Sequence, residues 1–364
     1  MARPLYAEVN LAALRANVDT VRRCAPGVEV LAVVKANAYG HGLQRVLPAL
    51  ADADGLGLIE LDAALSLRDQ RYTRRILLLE GFFGPEELGP IATHGLAAVV
   101  HDAEQVRMLE RAHVPRPIEV FLKINTGMNR LGVGPHVAAA LATRLAQCPA
   151  VAAVRLMTHF ARADDADGIV AQRAVFNAAC EGLPYARSLA NSAGVVRFPE
   201  VGGDLVRPGI MLYGATPMSR CTAASLGLEP VMTLRSALIA VQDLHVNDRV
   251  GYGGTYAAAR AHRVGVIACG YADGYPRHAG NGTPVLVGGR RVPIAGRVSM
   301  DMITVDLSNA PAATVGTPVV LWGQGLPVDE VAAAAGTIGY ELLCAVAPRV
   351  PFTVTMTNRV DLDV

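Results

Sequence analysis

Lys35 is the first residue in this sequence whose position suggests chemistry. It ends a continuous apolar run over residues 30–34, which predicts a strand buried on both faces. Burial of a lysine in that place removes the hydration of its ammonium group. The free-energy cost is offset only if the lysine forms an ion pair or reacts. Gly40 and Gly42 follow at once and predict a tight turn where backbone passes close to another group. Taken alone, the pattern favours an ordinary solvated lysine over a reactive one.

Two further cations lie close together at the end of a later apolar run. Lys123 ends that run, and Arg130 follows in the segment GMNRLG over residues 127–132. A guanidinium group offers a planar pair of donors to a carboxylate, so the pair is a candidate anion site. A surface turn with solvated cations is an equally good interpretation.

A phosphate site is suggested by two turns near the middle of the chain. Arg207 precedes Gly209 and Ile210, and the turn NSAG begins with Asn191 and Ser192. Hydroxyl and backbone N–H donors of this kind suit a phosphate group. Neither turn is diagnostic by itself.

Three glycine-framed loops in the last third of the chain are dense in functional groups. They are VGYGGTY over residues 250–256, GYADGY over 270–275 and GRVSMD over 296–301. Ordinary β-turns explain their glycine and aspartate residues. They leave the loop tyrosines, Tyr256 and Tyr271 among them, without an explanation.

The elements that position these residues alternate regularly. Apolar runs and helical segments follow one another over about 230 residues, which gives eight strands counting the one before Lys35 and predicts a (β/α)8 barrel. An open, doubly wound sheet is the alternative. In a barrel, the carboxyl ends of the strands form the catalytic face. The polar residues that end these strands are Lys35, Lys123, His159, Asn191, Ser192 and Arg207.

The sequence pattern changes near residue 230. Short β-rich runs separated by Gly, Asn, Asp and Pro predict a mostly-β region, interrupted by one helix over residues 328–335. The sequence therefore predicts two domains, a barrel over 1–230 and a β domain over 231–364. The first few residues of the chain are candidates for the β domain.

Composition excludes several classes of function. The net charge of +1 and the absence of a basic stripe argue against nucleic acid or a membrane surface as a partner. The six cysteines are scattered with no Cys-x-x-Cys pair, which argues against zinc or a disulfide framework. No apolar signal-peptide core and no membrane-spanning run is found. These features predict a cytoplasmic protein without a bound metal.

The motifs together resemble those of the bacterial alanine racemases. They are VVKANAYGHG, KINTGMNRLGVG, MTHFA, ANSAG, VRPGIMLYG, VGYGGTY, GYADGYPR and GRVSMDM, in the order and spacing of that family. The resemblance covers essentially the whole chain. It implies a barrel plus a β domain, pyridoxal 5'-phosphate as cofactor, and a head-to-tail homodimer whose active sites are shared between subunits.

The resemblance also implies a role for each site residue. Lys35 would hold the cofactor covalently and act as one base, and Tyr256 would be the second base, with His159 beside it. Arg207 would face the pyridine nitrogen of the cofactor. The residues expected around the phosphate are Tyr39, Ser192, Gly209, Ile210 and Tyr340.

The remaining expected roles concern the substrate. Arg130 and the backbone of Met300 would bind its carboxylate, with Asp301 in support. Lys123 stands where the family often carries a carbamylated lysine that orients the arginine. Tyr271 and Tyr340 would narrow the entrance, which favours a side chain as small as that of alanine.

The predicted function is interconversion of L- and D-alanine, with D-alanine supplied to peptidoglycan. A serine or broad-spectrum racemase on the same scaffold is one alternative, and a basic amino-acid decarboxylase is another. A non-catalytic barrel that carries the cofactor is a third. The tyrosine loop and Arg207 argue against the decarboxylase, and the region after residue 230 argues against a lone barrel.

Overall fold

The first part of the chain forms a parallel barrel. The computed structural model describes residues 3–356. After β1 (Tyr6–Asn10), the barrel strands are β2 (Glu29–Val33), β3 (Gly55–Leu58), β4 (Arg75–Leu78), β5 (Ala97–Val100), β6 (Ile118–Lys123), β7 (Val151–Met157), β8 (Arg187–Ser188) and β9 (Leu205–Val206). They pair in the order β8-β7-β6-β5-β4-β3-β2-β9, and a bridge between Asn191 and Arg207 brings the two end strands together. The predicted (β/α)8 barrel is confirmed.

Helices alternate with these strands. They are α1 (Leu11–Cys24), α2 (Lys35–Tyr39), α3 (Leu43–Val46), α4 (Leu61–Asp69), α5 (Leu88–Thr93), α6 (Ala103–Arg111), α7 (Pro135–Gln147), α8 (Val170–Ala179) and α9 (Ser192–Arg197). The side chain of Asn10 accepts hydrogen bonds from the backbone N–H groups of Ala12 and Ala13, so it caps α1.

The second part consists mostly of strands, as predicted. Its strands are β10 (Met232–Leu244), β11 (Arg249–Val250), β12 (Tyr256–Ala257), β13 (His262–Ile267), β14 (Pro284–Val287), β15 (Arg290–Pro293), β16 (Ile303–Asp306), β17 (Pro318–Trp322) and β18 (Phe352–Thr355). Strands β11 and β12 form a separate hairpin, and the other seven share an eight-stranded sheet with β1. The first strand of the chain therefore lies beside β10 and β18, while the domain division at residue 230 stays a prediction.

Two helices and several 3-10 turns complete the structure. Helix α10 (Val328–Ala334) matches the predicted one, and α11 (Gly339–Cys344) is an additional helix that sequence reasoning missed. The 3-10 turns span Leu47–Leu50, Pro85–Glu87, Pro199–Val201, Ile210–Tyr213, Ala224–Leu226, Tyr252–Gly254 and Tyr271–Asp273. No helix within residues 3–356 is long and apolar enough to cross a bilayer.

The interior of the barrel is filled by side chains, so the barrel is not a pore. A separate apolar cluster lies there, and all of its members are at most 3% exposed. They are Leu31, Leu77, Ala97, Val99, Phe121, Met157 and Leu205. Because this cluster closes the barrel, the space beyond the carboxyl ends of the strands is left as a cavity.

Candidate active site

A cavity of about 710 Å³ opens at the carboxyl ends of the barrel strands. Its lining carries two carboxylates, Glu80 and Asp164, and four cations. The cations are Lys35, Lys123, Arg130 and Arg207. This excess of positive charge makes the cavity a site for an anion.

Lys35 is placed by an unusual turn. It follows β2 and begins α2, in which the next four residues all have positive φ angles between 52° and 56°. A left-handed conformation costs about 1–2 kcal/mol for each residue that has a side chain. The sequence predicted a tight turn here, but it did not predict four consecutive left-handed residues without glycine.

Hydrogen bonds within the turn maintain this strained backbone. The buried side chain of His41 places Nδ1 3.0 Å from the carbonyl oxygen of Ala38 and 2.9 Å from that of Tyr39. The Asn37 side chain accepts a hydrogen bond from the N–H of Leu43 at 2.8 Å. Strain of this kind persists where the surrounding structure fixes it, and it is concentrated at functional sites.

Tyr39 closes one side of the cavity. Its ring stacks on Tyr213, with ring centroids 4.8 Å apart. Burial raises the pKa of Tyr39 well above the usual value for a phenol. The hydroxyl therefore stays protonated and is available as a hydrogen-bond donor.

Arg207 is the most constrained cation of the site. It is 4% exposed and donates to the hydroxyl of Ser188 at 2.5 Å and to the carbonyl of Thr158 at 2.6 Å. Burial lowers the pKa of Arg207 to about 9, so the group remains a cation at neutral pH. These carbonyl and hydroxyl partners fix its orientation, and no carboxylate among residues 3–356 forms an ion pair with it.

His159 is held neutral beside these cations. Burial, together with the charges of Arg207 and Lys123, lowers its pKa to about 3. The side-chain amide of Asn191 donates to Nε2 of His159 at 3.2 Å, which places the ring proton on Nδ1.

Lys123 is the second buried cation. It is 5% exposed, and burial lowers its pKa to about 8, with further lowering by Arg207 and Arg130. A large fraction of this amine is therefore neutral in mildly alkaline solution.

The turns predicted to bind phosphate lie against each other. The N–H of Gly209 donates to the hydroxyl of Ser192 at 2.8 Å. Ser192, Gly209 and Ile210 all line the cavity. The structure thus brings together residues that the sequence separates by 17 positions.

Helix α11 supplies one wall of the cavity. Tyr340 and Cys344 project from it into the lining. The helix meets the Lys35 turn at Gly40, where an added β-carbon would lie 2.1 Å from the carbonyl oxygen of Leu343. Sequence reasoning named Tyr340 but missed Cys344, Glu80 and Asp164, since single residues of these types in ordinary segments carry no local signal.

Four predicted site residues lie elsewhere in the chain. In the part of the chain that the structure describes, the cavity lining does not include Tyr256, Tyr271, Met300 or Asp301. Tyr271 and Met300 are exposed, at 40% and 53%. Asp301 accepts a hydrogen bond from Arg349 at 2.5 Å, which links the loop of Met300 to the segment before β18.

Tyr256 is placed differently from the expectation for a base. Its hydroxyl lies 2.9 Å from Nε2 of His262 and donates to Oδ2 of Asp306 at 3.1 Å, and both partners belong to the eight-stranded sheet, not to the β11–β12 hairpin that carries Tyr256. Burial and the bond to Asp306 raise its pKa to about 12. Tyr252, four residues earlier on the same loop, is 70% exposed. His159, the expected neighbour of Tyr256 in a site shared between subunits, lines the barrel cavity, and its proximity to Tyr256 stays a prediction.

Comparison with protein families identifies the fold. A family model described as the alanine racemase N-terminal domain matches residues 9–217, and one described as the alanine racemase C-terminal domain matches residues 231–354. The chain belongs to the alanine racemase family. Members of this family are pyridoxal-phosphate-dependent isomerases.

Individual relatives agree with this assignment. The chain is 56% identical to an alanine racemase of Nitrosospira multiformis over 96% of this chain and 99% of the relative. It is 51% identical to one of Cupriavidus necator over 99% of this chain and 98% of the relative. The crystal structure of the biosynthetic alanine racemase from Pseudomonas aeruginosa matches with a TM-score of 0.94 and 48% identity, over 97% of this chain and 99% of the other.

The residues of the cavity fit the family's cofactor. Pyridoxal phosphate carries an aldehyde, a dianionic phosphate and a pyridine ring, and the cavity offers an amine, hydroxyl and N–H donors and an excess of cations. Addition of a β-carbon at Gly209 would bring it within 2.4 Å of the Tyr39 hydroxyl, so this part of the wall has room only for backbone. No metal-binding group of three or more His, Cys, Asp or Glu residues is found within residues 3–356.

Proposed function

We propose that this protein interconverts L- and D-alanine with pyridoxal 5'-phosphate as its cofactor. The observation that carries the proposal is Lys35, held by a strained turn at a cationic cavity in a chain of the alanine racemase family. The volume of the cavity, about 710 Å³, suits a cofactor together with a small amino acid.

Lys35 would anchor the cofactor through its amine. Tyr39, Ser192, Gly209 and Ile210 would hold the phosphate, and Arg207 would lie at the pyridine nitrogen. When bound, the cofactor stabilises the negative charge that remains on the α-carbon of the amino acid after a proton is removed. Because Arg207 has no acceptor and remains a cation, it donates a hydrogen bond rather than a full proton.

Racemisation requires proton transfer on both faces of the α-carbon. Lys35 would remove or return the proton at its Nζ on one face, and a second base must act on the other. We assign that second role to the hydroxyl of Tyr252 instead of Tyr256. The support is that Tyr252 is presented at the surface while the hydroxyl of Tyr256 is occupied by His262 and Asp306.

The second base would come from another copy of the chain. Tyr252, Tyr271, Met300 and Met302 are exposed on loops of the β region, and we call this set of exposed side chains the tyrosine face. Contacts between these loops hold the face together, since the backbone N–H of Tyr271 donates to the carbonyl of Ser299 at 3.0 Å. We propose a homodimer in which this face covers the cavity of the partner, an arrangement that buries exposed apolar side chains.

The substrate carboxylate would bind to Arg130 and to the backbone of Met300, with Asp301 holding the latter loop. Carbamylation of Lys123 would turn it into an anion able to orient Arg130. Tyr340, and Tyr271 of the second copy, would narrow the entrance and favour a small side chain.

D-alanine made in this way would supply peptidoglycan synthesis in the cytoplasm. Free cysteines at all six positions agree with a reducing compartment.

The decisive experiment is a racemisation assay on a panel of amino acids. We expect alanine to be the preferred substrate, and comparable rates with serine, lysine or arginine would reject the alanine assignment. The purified protein should be yellow, and the absorbance band of the bound cofactor should change in Lys35→Ala. A colourless wild-type protein would reject the cofactor assignment.

A further inference from the structure

The hairpin of β11 and β12 carries the loop on which Tyr252 lies. It pairs Val250 with Tyr256 and is separate from the eight-stranded sheet. Three glycines of the loop, Gly251, Gly253 and Gly254, have positive φ angles, so the loop turns sharply between Val250 and Tyr256. A short two-stranded hairpin is marginally stable by itself and needs attachments to the rest of the fold.

The Tyr256 side chain provides one such attachment. Its hydroxyl lies between His262, at the start of β13, and Asp306, at the end of β16. The side chain of His262 is only 7% exposed, and its Nδ1 lies 2.8 Å from the carbonyl oxygen of Arg260, which it can bind only as a donor. The single proton of the Tyr256 hydroxyl goes to Asp306, so the 2.9 Å contact with Nε2 is a hydrogen bond in the form of the ring whose Nε2 carries a proton and donates to the phenolic oxygen. The phenolic oxygen of Tyr256 is thus in contact with two paired strands of the large sheet, β13 and β16.

Asn281 provides a second attachment next to it. Its side chain donates to the carbonyl of Thr255 at 3.0 Å and accepts from the N–H of Gly296 at 2.6 Å. Gly296 begins the loop that carries Met300. The Tyr252 loop is therefore fixed relative to the rest of the tyrosine face on one side and to the large sheet on the other.

We infer that Tyr256 is a positioning residue whose hydroxyl, bound to His262 and Asp306, fixes the loop that presents Tyr252 to the cavity of a second copy. The inference rests on the proposed function, because Tyr252 must be the second base for its position to affect the rate. Proton transfer demands near-contact geometry, and a displacement of about 1 Å can lower a rate about a hundredfold. Tyr256 lies four residues from Tyr252 in the sequence. By holding the loop in place, it can therefore control the rate of catalysis without contact with the substrate.

The test compares Tyr256→Phe with Tyr252→Phe in the holoenzyme. Tyr256→Phe keeps the ring and removes only the hydroxyl, and we expect kcat for L-alanine to fall about tenfold. We expect the isotope effect of α-deuterated L-alanine to rise as well, because proton transfer at Tyr252 becomes slower relative to the other steps. A loss of folded or active protein lowers the rate without changing this isotope effect. His262→Ala leaves the Asp306 bond in place and should raise the isotope effect less.

Tyr72→Phe is the matched control. Within the described part of the chain, the Tyr72 hydroxyl is buried without a hydrogen-bond partner, so its removal should change neither the rate nor the isotope effect. Wild-type kinetics in Tyr256→Phe, together with an inactive Tyr252→Phe, would reject the positioning role and leave the proposed function intact. A nearly inactive Tyr256→Phe with an active Tyr252→Phe would instead show that Tyr256 is itself the base. That result would overturn both the inference and our assignment of Tyr252.

Discussion

The hydroxyl of Tyr39 lies so close to Gly209 that a β-carbon added to this glycine would come within 2.4 Å of the phenolic oxygen. The contact joins the turn that carries Lys35 to the loop after β9. It makes two distant segments of the sequence into a single wall of the cavity, and it explains why the second of them needs a glycine.

Gly209→Ala should weaken cofactor binding. The new methyl group must displace the Tyr39 hydroxyl, and the ring has little freedom because it is buried against Tyr213. Overpacking of this kind costs about 1–3 kcal/mol, so we expect affinity for pyridoxal phosphate to fall about tenfold or more. Absorbance titration of cofactor-free protein measures this. Gly89→Ala, where the added carbon meets nothing within 4 Å, is the control, and equal affinities in the two variants would contradict the prediction.

Ala36→Gly should not destabilise the protein, although most alanine-to-glycine changes do. Ala36 has φ +52°, and the strain of about 1–2 kcal/mol that glycine relieves exceeds the added entropy of the unfolded chain, about 0.4–1 kcal/mol. The free energy of unfolding in urea should be unchanged or higher by up to about 1 kcal/mol. Ala16→Gly, within α1, should lower it by about 1 kcal/mol. Similar losses in both variants would show that the left-handed turn is not strained.

Lys123 should form a carbamate with carbon dioxide. The reaction needs a neutral amine, whose nitrogen bonds to the carbon of CO₂ and loses a proton. With a pKa of about 8, about half of Lys123 is neutral at pH 8, compared with less than about 1% of an ordinary lysine. A carbamate signal should appear in ¹³C NMR with labelled bicarbonate and grow as the pH rises towards 8. Lys123→Ala is the control, and a signal that persists in this variant would assign the carbamate to another amine.

Because of Asp273, the free energy of unfolding should depend on pH in the acid range. Its buried carboxylate accepts from Arg3 at 2.6 and 2.7 Å and from Arg349 at 2.7 Å. Burial alone would raise its pKa, but these hydrogen bonds hold the pKa below the usual value. The carboxylate therefore stabilises the fold above about pH 4, and this contribution is lost as the pH falls below that value.

Asp273→Asn tests this dependence. It should lower the free energy of unfolding at pH 7 by about 1.5–3 kcal/mol, and the difference from wild type should shrink below about pH 4. Urea unfolding at pH 7 and at pH 3.5 gives both values. Asp69→Asn, on the exposed side of α4, should have no effect at either pH. A difference that stays constant between the two pH values would exclude the charge of Asp273 as its cause.

The barrel could be predicted from the sequence because its signals are local. Each strand is an apolar run bounded by helical segments, and the number and order of these runs fix a parallel sheet. The polar residues that end the runs must meet at one face, and Lys35, Lys123, His159, Ser192 and Arg207 all line one cavity. Their chemical roles stay predictions.

The placement of the tyrosines could not be predicted in this way. Tyr252 and Tyr256 share one short glycine-rich loop, and no pattern within seven residues indicates which hydroxyl is free. His262 and Asp306 decide the matter, because the pairing of β13 with β16 brings Asp306 to the Tyr256 hydroxyl, 50 residues away in the sequence. The handedness of the Lys35 turn and the packing of α11 against that turn likewise depend on contacts between segments far apart in the chain.

The sequence by itself therefore determined the barrel and the set of reactive groups around Lys35, since both follow from residue type and spacing. Only the tertiary structure decided that these cations share one cavity without enough carboxylates to balance them, and that Tyr256 is bound while Tyr252 is exposed. The physical reason is that burial, charge balance and hydrogen-bond satisfaction are properties of neighbours in space, and those neighbours are distant in sequence.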